Sequence, residues 1–453
     1  MTYHLLTLGC AKNDVDSSSM AQLLDEAGYH STEKTNQADV LIVNTCGFIG
    51  PAREESLHYL RELAARKRKH QVLIAAGCLS QLWGPRLADA VPGLDGVIGT
   101  RRWMDIVEFI ERVRASRKGA PHPSPLYHLP TEADTVGEDE RGAQRVAVQG
   151  ASAYLKISDG CRRPCAFCTI PIIKGTLKSR PPELVLAEAQ RLAEQGVREL
   201  ILIAQDLTDY GSDLGLRDGL AQLVTDIIRV VPSLDWLRLM YAYPGAVSDR
   251  LIEVMATNDK VVKYLDIPLQ HAHPATLRRM RRPSNMEWVY RTFEKMRTAM
   301  PELAIRTTFI VGFPGETDAE FEALLRFVEE MQFDRVGVFT YSFEAQTASG
   351  HMPHQVPREV AEARRNALME LQQRISLRKN QAFIGKTLTA LIEGTDASGN
   401  ISIGRTYRDA PEVDGLVLLR SCVPIGEMLP VRVTGAMEYD LIAEPIGAPA
   451  IAA

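Results

Sequence analysis

Ser158-Asp159-Gly160-Cys161-Arg162-Arg163-Pro164-Cys165-Ala166-Phe167-Cys168 sets three cysteines in a C-x3-C-x2-C spacing, just after the apolar stretch 153–157. Three thiolates this close can hold three irons of a 4Fe-4S cluster and leave the fourth open, since complete cysteine ligation takes four. An open iron can bind a small molecule, so the loop is a candidate reaction centre. A structural zinc site competes with this reading. Zinc takes four ligands, however, and no fourth Cys or His lies between Arg145 and Arg198.

Outward from the loop, residues 151–343 read as repeated strand-helix units. Apolar strands are expected at 154–158, 199–204, 236–241, 264–268, 305–312 and 335–341. Helical patterns lie between them at 182–195, 216–230, 287–300 and 318–331. Pro181 and Pro182 suit a helix start, and Gly196 its stop. Six such units make an incomplete parallel (β/α)6 barrel. Chemistry in parallel barrels gathers at the carboxyl ends of the strands. The Cys161 loop falls there. So do Gln205, Asp206 and Thr208, Tyr241 and Tyr243, Gln270, His271 and His273, and the run 312–317. Ordinary loop polarity explains any one of these residues equally well.

Upstream, three apolar runs each end in a cysteine, at 4–10, 40–46 and 72–78, with helical segments at 17–27 and 51–69. Near-continuous apolar strands joined by helices imply a parallel α/β sheet. All its strands end at one edge, so Cys10, Cys46 and Cys78 can converge there although 36 and 32 residues separate them. One such cysteine would be a small buried hydrophobe. Three in equivalent positions read as a second three-cysteine 4Fe-4S site.

These regions bound the rest. Residues 1–118 form the N-terminal cluster domain. Residues 119–150, with Pro121, Pro123, Pro125, Pro130 and the acidic stretch 132–140, read as a mobile linker. Residues 151–376 form the core, which ends in an amphipathic connecting helix, 357–381. Residues 377–447 hold short strands with Gly-bearing turns, a small antiparallel β-barrel, and 448–453 are a tail. Cys422 lies alone in the last domain and reads as packing. At 453 residues the chain is long enough for three such domains. Seven cysteines, an odd number, fit reduced thiols and metal ligation. No basic leader or membrane-length apolar stretch is visible, so a cytoplasmic protein with no membrane partner is expected. The net charge of -5 advertises no global polybasic surface.

The spacing at Cys161 is similar to that of the radical S-adenosylmethionine enzymes. With both cysteine triplets the chain resembles the methylthiotransferases over nearly its whole length. The runs Leu8-Gly9-Cys10-Ala11-Lys12-Asn13, Val43-Asn44-Thr45-Cys46-Gly47-Phe48-Ile49, Ala204-Gln205-Asp206 and Asp266-Ile267-Pro268-Leu269-Gln270-His271 resemble the RimO family. So does Asp409-Ala410-Pro411-Glu412-Val413-Asp414-Gly415. Leu207 stands where that pattern expects threonine, and Ser18-Ser19 where an acidic residue is commoner.

The resemblance implies a methylthiotransferase domain, a radical core and a C-terminal TRAM barrel. It implies two 4Fe-4S clusters and S-adenosylmethionine. A deoxyadenosyl radical would take hydrogen from the β-carbon of an aspartate in small-subunit ribosomal protein twelve. The Cys10 site would supply sulfur, and a second S-adenosylmethionine the methyl group. A ferredoxin- or flavodoxin-like electron donor and a sulfur donor are the implied partners. Phe167 suits an adenine contact and Arg180 the carboxylate of S-adenosylmethionine, while Gln205 and Gln270 are further cofactor-binding candidates. A solvent-facing role for Arg180 is the alternative.

From Phe383 onward there are five basic residues (Lys386, Arg405, Arg408, Arg420, Arg432) against nine acidic ones (Glu393, Asp396, Asp409, Glu412, Asp414, Glu427, Glu438, Asp440, Glu444). A barrel gripping nucleic acid should be basic. An acidic one suits a basic ribosomal protein, or is simply a soluble surface. Methylthiolation of a tRNA adenosine, as in the MiaB relatives, and a non-catalytic iron-sulfur carrier stay open.

Overall fold

The apolar runs that end in Cys10, Cys46 and Cys78 form strands of one parallel sheet. The computed structural model describes residues 1–118, 124–130 and 142–446. The N-terminal strands are β1 (Thr2–Thr7), β2 (His30–Ser31), β3 (Val40–Thr45), β4 (Val72–Gly77), β5 (Gly96–Ile98) and β6 (Leu126–His128). They lie in the order β2-β1-β3-β4-β5-β6, all parallel. Every residue of β3 and β4 is buried, because helices cover both faces. Ile42 and Ile74 pack with Phe109 on one face, and Leu41 and Leu73 with Leu57 and Leu60 on the other.

The linker reading needs correction. β6 falls inside 119–150 and extends the first sheet. β7 (Val146–Gln149) falls there too and pairs antiparallel with β8 (Ser152–Lys156). Both are three- or four-residue edge strands, too short for a periodic signal, and an open sheet edge recruits them. The acidic stretch 132–140 and the tail 448–453 lie outside the described residues.

In the core, β9 (Ser158–Asp159) and β10 (Lys178–Ser179) form a short ribbon around the Cys161 loop. Then come β11 (Glu199–Ile203), β12 (Trp236–Leu239), β13 (Val261–Asp266), β14 (Ala304–Val311) and β15 (Arg335–Thr340). The sheet runs β15-β14-β13-β12-β11-β8-β7, with six parallel strands and one antiparallel edge, and it stays open. Strand alternation sorts its side chains. Leu155, Leu200, Leu202 and Leu237 face the surrounding helices. Tyr154, Ile201, Ile203, Val262 and Tyr264 face inward. That inner face is filled by Ala11 and Val15 of the N-terminal domain and by Leu391 and Ala410 of the C-terminal one. All three domains therefore meet inside the open barrel.

The last domain follows the helix Arg358–Gln381, which overruns the expected boundary at 376. It comprises β16 (Thr387–Thr395), β17 (Ser402–Arg405), β18 (Val417–Leu419), β19 (Met428–Ala436) and β20 (Leu441–Pro445), closed in the order β16-β17-β18-β20-β19. One pair, β18 with β20, is parallel where an antiparallel barrel was expected.

Buried ions lock the domains. Asp16 of the first domain pairs with Lys156 and Lys174 of the core. Glu199 of the core takes Arg238 at 2.7 Å and Arg405 of the barrel at 2.5 Å. Among the described residues no helix is long and apolar enough to cross a membrane.

Candidate active site

The Cys161 loop leaves β9 through Gly160, which has φ +72° and whose added Cβ would sit 1.9 Å from the Thr176 carbonyl oxygen. Only glycine fits. The Cys161 N–H donates to the Gly175 carbonyl at 3.1 Å, and the Ala166 N–H to that of Met280 at 2.9 Å. The loop is thus fixed from both sides. All three sulfurs are free, partly exposed, and served by a donor. The backbone N–H of Arg163 reaches Cys161 Sγ at 3.4 Å, that of Ile170 reaches Cys168 Sγ at 3.4 Å, and Arg282 Nη1 lies 3.6 Å from Cys165 Sγ. Burial pushes the Cys161 thiol up to about 11 and the Cys168 thiol up to about 12, while those donors favour the thiolate. Metal binding would displace the protons that burial retains. Among the described residues no three His, Cys, Asp or Glu side chains close at single-ion spacing. A cluster takes its thiolates on separate irons, so a wider triplet suits it.

The second triplet is assembled by close packing. Cys10 caps the helix Ala11–Glu26, Cys46 follows β3, and Cys78 opens the helix Cys78–Trp83. Gly9 has φ +107°, and a Cβ there would lie 2.9 Å from Cys46 Sγ. Asn13 ties all three loops together. Its Nδ2 donates to the carbonyls of Leu8 at 2.7 Å and Thr45 at 3.2 Å, and its Oδ1 lies 3.7 Å from Cys78 Sγ. Desolvation raises Cys46 and pushes Cys78 up to about 12. The Lys174 charge, just beyond the Cys168 loop, opposes that rise at Cys78. The two triplets therefore face each other across the paired Asp16 and Lys174.

Other residues of the strand ends line the same cleft. The Oε1 atoms of Gln205 and Gln270 are buried without a partner, and Gln270 is held at φ +74°. Such orphaned acceptors and backbone strain concentrate at ligand sites. Phe167 meets the buried Phe313 edge-on, with ring centroids 6.5 Å apart. Arg180 is placed otherwise than expected. Its two Nη groups grip Glu188 at 2.8 Å each, and Nη1 also donates to the Lys156 carbonyl. A bidentate pair this buried leaves those donors no cofactor role. His273 caps the helix Pro274–Arg279, and His271 Nδ1 accepts from the His273 N–H. Sequence reasoning gave no role to Asn13, Lys12, Arg163 or Arg282. Arg163 and Arg282 sandwich the Tyr243 ring at 4.3 and 4.4 Å, a contact that no spacing signals.

Residues 2–99 match the Uncharacterized protein family UPF0004, residues 155–328 the Radical SAM superfamily, and residues 384–446 the TRAM domain. The ribosomal protein uS12 methylthiotransferase RimO of Chloroflexus aurantiacus is 50% identical, over 98% of this chain and 100% of the relative. That of Roseiflexus sp. is 48% identical, over 99% and 98%. The chain belongs to the RimO family. The solved radical S-adenosylmethionine methyltransferase TsrM from Kitasatospora setae shares the fold, with TM-score 0.54, 15% identity and 77% of each chain covered.

Proposed function

We propose that the protein attaches a methylthio group to the β-carbon of one aspartate of ribosomal protein uS12, using two 4Fe-4S clusters and S-adenosylmethionine. The observation that carries this is a pair of three-cysteine sites opening on one cleft, in a RimO-family chain. Cys161, Cys165 and Cys168 would hold one cluster, and Cys10, Cys46 and Cys78 the other. Loaded, the first site supplies an electron to S-adenosylmethionine for radical hydrogen abstraction and the second supplies sulfur. The β-carbon has no useful acidity, so the acid-base groups of the cleft could not functionalise it.

The chain's own residues bind, orient and exclude water. Arg282 and the N–H groups of Arg163 and Ile170 stabilise charge on the core sulfurs. The free Oε1 atoms of Gln205 and Gln270 offer acceptors to an ammonium or adenine amine. Phe167 and Phe313 give an apolar wall. Ferredoxin- or flavodoxin-like reduction and an external sulfur donor complete the scheme, in the cytoplasm, where ribosomal proteins are made.

The outer surface of the C-terminal barrel favours a basic protein over tRNA. Arg405, Arg408, Asp409 and the Asp414 carboxylate are buried in pairs, which leaves three basic and seven acidic residues towards solvent. The test is anaerobic reconstitution with iron and sulfide, then incubation with S-adenosylmethionine, a reductant and uS12. A methylthio mass gain on one aspartate is expected. The same gain on tRNA, with uS12 unchanged, would overturn the reading.

A further inference from the structure

Lys12 sits where the helix Ala11–Glu26 enters the barrel mouth, two residues beyond Cys10. Its ammonium stands 3.3 Å over the Tyr241 ring. Its one hydrogen bond within the chain is a marginal one, to the Ala204 carbonyl beside Gln205 at 3.5 Å. Protein surrounds it deeply enough for desolvation to lower its proton affinity, yet the residue keeps some solvent contact, as a side chain lining a cleft does. Asp266 and Asp159 act on it through space, and among the described residues no carboxylate pairs with it directly. Neighbouring Lys156 and Lys174 differ, for both are paired with Asp16. Tyr241 is itself held at φ +72°, which fixes the ring beneath the ammonium. Burying a cation with most of its donors unused is costly unless a ligand completes the site.

We propose that Lys12 binds the side-chain carboxylate of the aspartate to be modified and so selects the substrate residue. The inference rests on the proposed function, because it takes the acceptor to be an aspartate. The carboxylate is one bond from the β-carbon, so holding it between Lys12 and Tyr241 places that carbon between the two cysteine triplets. A neutral amide would lose the charge-assisted bond and leave the ammonium unpaired.

The test is a double-mutant cycle on the reconstituted full-length protein. Dissociation constants are measured for a uS12 peptide carrying the target aspartate and for the same peptide with asparagine. Both are repeated with Lys12→Gln, and with Lys12→Met should the first variant lose its cluster spectrum. The parent should prefer aspartate by about tenfold to a hundredfold, the usual range for a hydrogen bond to a charged group. The variant should bind both peptides equally. Equal binding by the parent, or undiminished preference in the variant, overturns the assignment. A weakened S-adenosylmethionine affinity with the peptide preference intact also overturns it, since Lys12 would then serve the cofactor's carboxylate. Lys12-dependent preference without methylthiolation would instead sink the proposed function and leave the carboxylate site standing.

Discussion

Replacing Glu199 with glutamine should loosen the C-terminal barrel from the core. Glu199 is fully buried on β11 between two buried guanidiniums. Its Oε1 accepts from Arg238 Nε, and its Oε2 from Arg405 Nη2 and the Ser152 hydroxyl. Arg405 would retain Glu393, but Arg238 would keep only the carbonyls of Tyr407 and Thr406. The two arginines hold the Glu199 carboxyl at about 2, against 4.5 for an ordinary glutamate. At about 1.4 kcal/mol per tenfold change in proton affinity, that difference is worth about 3 kcal/mol. It agrees with the roughly 3–5 kcal/mol lost when one partner of a buried pair is removed. For a cooperative unit of this size the expected drop in Tm is roughly 6–12 °C. Scanning calorimetry reads the shift, and hydrogen exchange should show faster amides in β16 and β17. Because the folded pKa is depressed, the stabilisation is present above the unfolded value and drains as pH falls towards 2. The variant's acid limb should therefore be flatter. A Tm within about 1 °C of the parent, with unchanged exchange, would refute the view that this ion cluster docks the barrel.

Cys165→Ala should abolish deoxyadenosine formation while the second cluster's spectrum persists; Cys46→Ala should keep that cleavage and stop sulfur insertion, both read by chromatography and mass spectrometry. Asp16→Asn should cost about 3–5 kcal/mol by leaving Lys156 and Lys174 underpaired. Since Asp16 is held at about 2 against 3.8, the parent should lose that stability only as pH falls below about 4, and urea midpoints against pH would show the limb missing in the variant. Arg180→Ala should leave S-adenosylmethionine affinity within about twofold and cost about 3 kcal/mol of stability through Glu188. A large loss of cofactor affinity there would restore Arg180 to the binding site.

The sequence by itself determined the domain order, the parallel sheets and both cysteine triplets. Each of those rests on local information. A strand's apolar run, a helix stop at Gly196 and a C-x3-C-x2-C spacing are all visible within about ten residues, and a parallel sheet carries its strand ends to one edge whatever the connections. The tertiary structure alone decided what the charged side chains do. Arg180 turns to Glu188, Arg405 crosses 206 positions to Glu199, and Lys156 crosses 140 to Asp16. The edge strands β6 and β7 and the parallel β18–β20 pair also escaped the pattern, being too short to carry a period. Lys12 stands in a motif plain to the eye, but that it lacks a counterion depends on which carboxylates the fold leaves out of reach. Hydrophobic periodicity is written along the chain. The pairing of buried charge is a property of surfaces brought together from distant parts of it, and only their packing settles which ions are satisfied.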